Sequence, residues 1–204
     1  EADETHLRFK VRGSDLMSLL KVWESYMASD YSDSWARANF LRPDTLREAR
    51  QVRYQLFRIL GKNGINGREH SSDYDEASIG KVAMAGHIDY LMIKGERYDY
   101  SKVADDSPPH IFRQPKDSFF IHPASTIFGE NPQLILPTKI RETGEGFKQK
   151  TYMRNNTAVK PQWLKDVAPH FVKEEKSERL NYSSVDDSVG YDTQLYLRAS
   201  NRLL

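Results

Sequence analysis

The sequence predicts an α+β chain, with helices in its first half, a small antiparallel β half after them, and a polar tail. Three observations predict this order. Apolar residues recur at helical spacing up to about residue 94, short strand-like runs separated by Pro, Gly and Asp follow, and from about Lys173 the composition turns polar and acidic. The divisions expected are 1–94, 95–172 and 173–204, with a hinge near residues 94 to 98.

The first helix starts at a Ser/Asp signal in "SDLMSLLKVWESYMASD", where Leu16, Leu19, Leu20, Trp23 and Met27 form one stripe. After the polar break Asp30 to Ser34, "SWARANFL" reads as a short helix carrying Trp35 and Phe40. Pro43 and Asp44 open a third, with Leu46, Ala49, Val52, Leu56, Ile59 and Leu60 expected inward and Gly61 as its stop. Its other face carries Arg47, Arg50, Arg53 and Arg58. The Gly-, Asn- and Ser-rich stretch 61–73 reads as an exposed loop, and "DEASIGKVAMAGHIDYLMI" as a fourth helix ending at Gly95.

Strand-like runs then appear around "RYDYSKV", "HIFR", "SFFIHP", "QLILPTKIRET" and "FKQKTYMRNNTAV". Gly144 to Gly146 read as a hairpin turn. A short helix "PQWLKDVA" leads to "PHFV". The polar tail is expected to be mobile or to dock on a partner, and its closing "YDTQLYLRASNRLL" reads as a candidate helix.

Composition sets outer bounds. A chain of 204 residues is long enough for a large core, and its net charge of +1 and pI near 8.1 are not those of a strongly basic nucleic-acid module. Any anion-binding surface must therefore come from local clustering. Cysteine is absent, which excludes disulfides and thiolate metal sites. No Gly-rich phosphate loop, His-Glu-x-x-His or Gly-x-Ser-x-Gly is present, and none of the 6 histidines stands at metal-ligand spacing from another. The apolar runs fall far short of a membrane span. No catalytic residue and no metal site is assigned, and the search moves to binding.

The stretch "FKQKTYMRNN" is the informative one. Period two puts Lys148, Lys150, Tyr152 and Arg154 on one side of a strand, with Phe147, Gln149, Thr151 and Met153 on the other. Cations along one face can replace counterions on phosphates, and a Tyr ring offers a base a stacking surface. The plainer alternative is a solvated edge strand kept basic against edge-to-edge pairing.

Three stretches in order carry a resemblance. "GSDLMSLLKVWESYMASDYSDSWARANFLRPDTLREARQVRYQL", "FFIHPASTIF" and "KTYMRNNTAVKPQWLKDVAPHF" resemble the C-terminal region of DEAH-box RNA helicases, covering roughly residues 13 to 172. The first is similar to that family's helical ratchet segment, the second to its Ile-His-Pro-Ser-Ser signature, and the third to its Lys-x-Tyr-Met-Arg strand and Trp-Leu helix. The chain departs from the pattern at Ala124, where the family usually has a first hydroxyl before Ser125, and in the longer "RETGEGFKQK" and "YSKVADDSPPHIFRQPKDS" segments.

The resemblance implies a helical ratchet-like segment followed by an OB-fold, a five-stranded barrel whose open face commonly takes single strands. It implies that motor lobes of the same protein, with their ATP and Mg, lie outside this chain. It also implies single-stranded RNA and a G-patch activator as partners, no membrane, and an intracellular, nuclear location. On this reading Lys148, Lys150, Tyr152 and Arg154 face the RNA path. His122 and Ser125 offer hydrogen bonds to phosphate, and Arg50 and Arg53 face the channel from the third helix. Each has its dull counterpart: solvated charge, a barrel-end tyrosine, a structural His beside a Pro. Trp23, Trp35, Trp163 and Leu164 are assigned to packing. Two functions stay open, an RNA-gripping helicase region and a protein-interaction scaffold within a ribonucleoprotein assembly.

Overall fold

The structure, a computed structural model, describes residues 1–65, 75–95, 99–103, 118–145, 149–183, 188–198 and 202–204, with only the backbone described for 177–183 and 188–190. It divides into two units, Glu1–Asp75 and Glu76–Leu204.

The first unit is helical. Helix α1 (Ala2–Leu7), which the apolar pattern does not announce, precedes α2 (Asp15–Ala28), α3 (Asp33–Ala38) and α4 (Pro43–Lys62). Ser14 and Ser32 cap α2 and α3 by accepting from the backbone N–H of Met17 and Trp35, each at 3.2 Å. The centre is aromatic. Tyr26 is buried and meets the rings of Trp23, Tyr31 and Trp35, with centroids 5.4 to 6.1 Å apart, and Phe9 meets Trp35 at 6.2 Å.

One expectation is reversed on α4. The stripe read as inward is outward: Val52, Leu56 and Ile59 are about half exposed, and the helix buries none of its residues. What α4 turns toward α2 is instead Arg53, whose guanidinium lies 6.0 Å from the Trp23 ring and 4.6 Å from the ring of Phe57 on its own helix. The aromatic ring of Trp23 beneath favours a guanidinium over aliphatic carbons.

The second unit starts with α5 (Glu76–His87) and a 3-10 turn (Ile88–Tyr90). The expected fourth helix stops there rather than at Gly95, because Met92–Lys94 is strand β1. Leu91, Met92 and Ile93 are all buried, so this run has both faces covered, which suits a strand between a barrel interior and a helix layer. For the same reason α5 belongs with the barrel unit rather than with the helices before it.

Strands β2 (Tyr100–Lys102), β3 (Phe119–Ile121), β4 (Leu134–Thr143) and β5 (Lys150–Ala158) complete a closed barrel in the order β1-β2-β3-β5-β4. Neighbours are antiparallel except β3 and β5, which run parallel. Closure leaves no free edge, so register is fixed by which residues point in. Met92, Tyr100, Ile121, Ile127, Ile135 and Met153 fill the interior, and the Tyr100 hydroxyl donates to the Pro132 carbonyl at 2.8 Å. Burial raises the Tyr100 phenol above its ordinary value.

A second core lies outside the barrel wall. Leu134, Leu136, Ile93 and Val159 meet Met84 of α5 and Trp163 and Leu164 of helix α6 (Pro161–Val167). Lys81 of α5 and Asp166 of α6 form an ion pair at 2.7 Å across the same layer.

The segment read as a polar tail carries a β-hairpin. Strands β6 (Val172–Ser183) and β7 (Ser188–Leu197) pair antiparallel, and β8 (Arg202–Leu203) adds to β7. The candidate closing helix is thus strand. Its Leu195 and Leu197 alternate toward the second core, where Val172 and Leu197 are buried. Polar composition hid a hairpin whose base is apolar. The Arg198 Nη2 donates to the Val172 carbonyl at 2.9 Å and its Nε to that of His170 at 3.1 Å, closing that base.

Candidate nucleic-acid interface

The register of β5 against its neighbours builds one outer face from three strands. Across β4, Lys139 stands opposite Arg154, Arg141 opposite Tyr152, and Thr143 opposite Lys150. Across β3, Phe120 stands opposite Tyr152. Directly opposed residues share a face, so Lys139, Arg141, Lys150 and Arg154 surround the Tyr152 ring. The alternate set faces inward, with Met153 fully buried in the barrel. The face ends at Asn155, whose φ of 52° lies in the left-handed region that Asn tolerates, and Asn156 after it is buried.

Three rings line the middle of this face. Tyr152 and Phe120 have centroids 6.4 Å apart, and Tyr152 and His122 5.7 Å. The Lys150 ammonium sits 5.6 Å from the Phe120 centroid. Tyr152 and Phe120 are partly exposed, and Lys139, Arg141 and Lys150 are exposed. Cations flanking aromatic rings on an exposed sheet face provide phosphate contacts beside base-stacking surfaces.

His122 extends the β3 ladder by donating its backbone N–H to the Met153 carbonyl at 3.0 Å. Its Nδ1 accepts from the Ala124 N–H at 3.1 Å, and the Arg154 Nη2 lies 2.5 Å from its Nε2. Burial, and then the Arg154 charge, hold this imidazole below its ordinary pKa.

Not every residue singled out in the sequence arrives here. Lys148 lies outside the described residues. Ser125 is buried and its Oγ accepts from the Asn156 Nδ2 at 3.1 Å, so it braces the turn after β3 from within. Arg50 and Arg53 belong to the helical unit. There Arg50 stacks 3.7 Å over the Tyr31 ring, and a groove of about 810 Å³ runs between Tyr31, Arg47, Arg53, Tyr54 and Phe57. Arg47 is committed to Asp33 and Asp44 through ion pairs.

Phe120, Lys139 and Arg141 were missed in the sequence although a signal was present. "TKIRET" alternates Lys139, Arg141 and Thr143 outward around Ile140, the same period that marked β5. Among the described residues no cluster of His, Asp or Glu is placed to hold a metal ion, and no helix is long and apolar enough to cross a membrane.

Residues 80–172 match the family model OB_NTP_bind, described as an oligonucleotide/oligosaccharide-binding (OB)-fold. That range takes in all five barrel strands. A relative, the probable ATP-dependent RNA helicase DHX35 of Pongo abelii, is 27% identical over 175 residues, which is 85% of this chain and 22% of the relative. Over 85% of its length this chain is thus similar to part of a probable ATP-dependent RNA helicase, and its residues 80–172 to the OB-fold family. Its OB-fold region spans the barrel, α6 and the last turns of α5, and the matched part of the chain spans about a fifth of that relative's length. The crystal structure of the Escherichia coli DExH-box NTPase HrpB overlaps 72% of this chain and 16% of its own, at 9% identity and a TM-score of 0.39.

Proposed function

We propose that this chain is the auxiliary C-terminal region of an ATP-dependent RNA helicase, and that the outer face of β3, β5 and β4 grips single-stranded RNA as part of the channel wall. The observation that carries this reading is the ladder register that gathers Lys139, Arg141, Lys150 and Arg154 around Tyr152 and Phe120. A solvated edge strand is the weaker account, because β5 is not an edge: it lies between β3 and β4 in a closed barrel. ATP and Mg would bind in motor lobes outside this chain, and those lobes are its expected partners within one protein. A G-patch activator and a nuclear location belong to the same reading.

A second reading rests on α4. Its exposed Val52, Leu56 and Ile59 favour docking of the helical unit on protein, as a scaffold in a ribonucleoprotein assembly would need.

A salt titration of oligonucleotide binding tests the first reading. Affinity should fall steeply with salt, by roughly 0.7 in log–log slope for each phosphate contact to a single strand. Binding that is absent, or indifferent to salt, leaves the scaffold reading in its place.

A further inference from the structure

The ladder register sorts the outer barrel face into columns. Outward positions on β4 are Lys139, Arg141 and Thr143, those on β5 are Arg154, Tyr152 and Lys150, and those on β3 include Phe120 and His122. Cations therefore lie on the β4 side and rings on the β3 side, with β5 carrying both. Glu142, opposite Thr151, alternates to the other face, so none of the rungs Lys139–Arg154, Arg141–Tyr152 and Thr143–Lys150 holds a carboxylate.

Charge thus repeats along the strands and changes across them. Each of the three rungs holds at least one cation, and successive rungs are about 6.8 Å apart, twice the rise per residue, a step that suits successive phosphates of an extended single strand. Neighbouring strands are only about 4.8 Å apart, and a backbone laid across them would leave the cations of β4 and β5 for the rings of β3. The rings fit the lengthwise direction too. Phe120 lies toward the Lys150 end, 5.6 Å from that ammonium, His122 lies toward the Arg154 end, and Tyr152 stands between them.

We propose that a bound strand lies along β4 and β5 rather than across the barrel, with one phosphate over each of the three rungs and the two bases between them turned onto Tyr152 and the rings of β3. This rests on the reading of the barrel face as an RNA surface, and adds the direction and length of the site. The ligand is a short run of unpaired nucleotides, because a base held in a duplex cannot turn onto a protein ring. Cations hold the backbone, and the rings accept any base by its flat side.

The test uses the 204-residue chain and 2′-O-methyl oligouridylates of about two to eight nucleotides, competed against a fluorescein-labelled oligouridylate of about ten. Affinity should climb steeply up to the tetranucleotide, whose linkages fill the three rungs, and only slightly beyond it. The log–log salt slope should level off near about 2, from three contacts of roughly 0.7 each. A slope that gains roughly 0.7 with every further nucleotide overturns the three-rung site and leaves the RNA reading standing. Direction is read from tetranucleotides in which one linkage is an uncharged methylphosphonate, which the 2′-O-methyl group protects from attack. Each such replacement should weaken wild-type binding by about tenfold at low salt. Lys139 and Arg141 are exposed neighbours on β4. Arg141→Ala should abolish the cost at the middle linkage, and Lys139→Ala should blunt it at one end. Both variants acting at the same linkage is what a strand laid across the barrel gives, and overturns the proposal. Absence of binding at every length overturns the RNA reading and this one with it.

Discussion

Gly80 of α5 lies against the six-membered ring of Trp163 in α6, so close that a Cβ at Gly80 would stand 2.3 Å from Cζ3 and 2.9 Å from Cε3. Gly80 is fully helical, so its value is not conformational freedom but the missing side chain. It lets α5 approach α6 while Trp163 stays on the barrel wall with Leu134 and Leu136. Gly80→Ala should overpack this layer and lower stability by about 1–3 kcal/mol, despite the higher helix propensity of Ala. Trp163→Ala should cost more, about 3–5 kcal/mol. Thermal melts of both variants check this. A Gly80→Ala protein as stable as the wild type would show that the ring shifts freely, and would remove this contact from the account of the fold.

The Lys81–Asp166 pair joins the same two helices and gives a pH signature. The hydrogen bond from Lys81, then that from Gln162, holds the Asp166 carboxyl below its ordinary pKa, and the contacts measure 2.7 Å and 3.1 Å. A depressed carboxylate stabilises the folded chain above its unfolded pKa of about 3.9, and that share is lost as pH falls through the lower folded value. Asp166→Asn should therefore melt below the wild type at neutral pH and converge with it in acid. Parallel melting curves at every pH would remove the pair from the stability of the barrel unit. The pair is solvent-accessible, so the effect should also shrink with salt.

How much of this was legible depends on whether a pattern is local. Helix α2 was legible because Ser14 caps it and its apolar positions repeat within one element. The cationic side of β5 was legible for the same reason. The end of α5 was not, because Leu91 to Ile93 continue an apolar run that only the barrel on one side and helices on the other turn into a strand. The outward stripe of α4 illustrates a second limit. Periodicity finds an apolar face but not which surface covers it, and the aromatic cluster around Tyr26 recruited Arg53 through Trp23 instead. Strand partners are a third limit: that Phe120, Lys139 and Arg141 meet Tyr152 follows from long-range register, not from any neighbour in sequence.

The rings on the barrel face give a prediction separate from charge. Tyr152 lies between Phe120 and His122 and is partly exposed, as a stacking platform must be. Tyr152→Phe should bind an oligonucleotide nearly as the wild type does, since stacking needs the ring and not the hydroxyl. Tyr152→Ala should weaken binding by about 1–3 kcal/mol per stacked base and leave the salt slope unchanged, because every phosphate contact stays in place. A Tyr152→Ala protein with full affinity would make the ring a mere cover for the barrel.

The chain alone should neither bind nor hydrolyse ATP. Its sequence has no Gly-rich loop ending in Gly-Lys-Ser/Thr to cradle phosphates. Equilibrium dialysis against ATP and Mg at millimolar concentration checks this, with saturable binding as the contrary outcome.

Charge reversal separates gripping from folding most directly. Arg141 and Lys150 are exposed on adjacent strands of one face, and neither fills the barrel. Exposed charges contribute little to folding, so Arg141→Glu with Lys150→Glu should melt within about 1 kcal/mol of the wild type. Binding should respond very differently. Each change takes one cation away from a phosphate and puts an anion beside it, so affinity should fall by at least about a hundredfold at low salt. The log–log salt slope should flatten by roughly 0.7 for each phosphate that is no longer neutralised. Lys21→Glu with Lys62→Glu, on α2 and the end of α4 in the other unit, is the matching control for overall charge. If both double variants lose affinity equally, the oligonucleotide is drawn to bulk charge rather than to this face. If only the barrel variant loses it, with stability and the control intact, then the register of β5 against β4 positions the contacts that hold the strand.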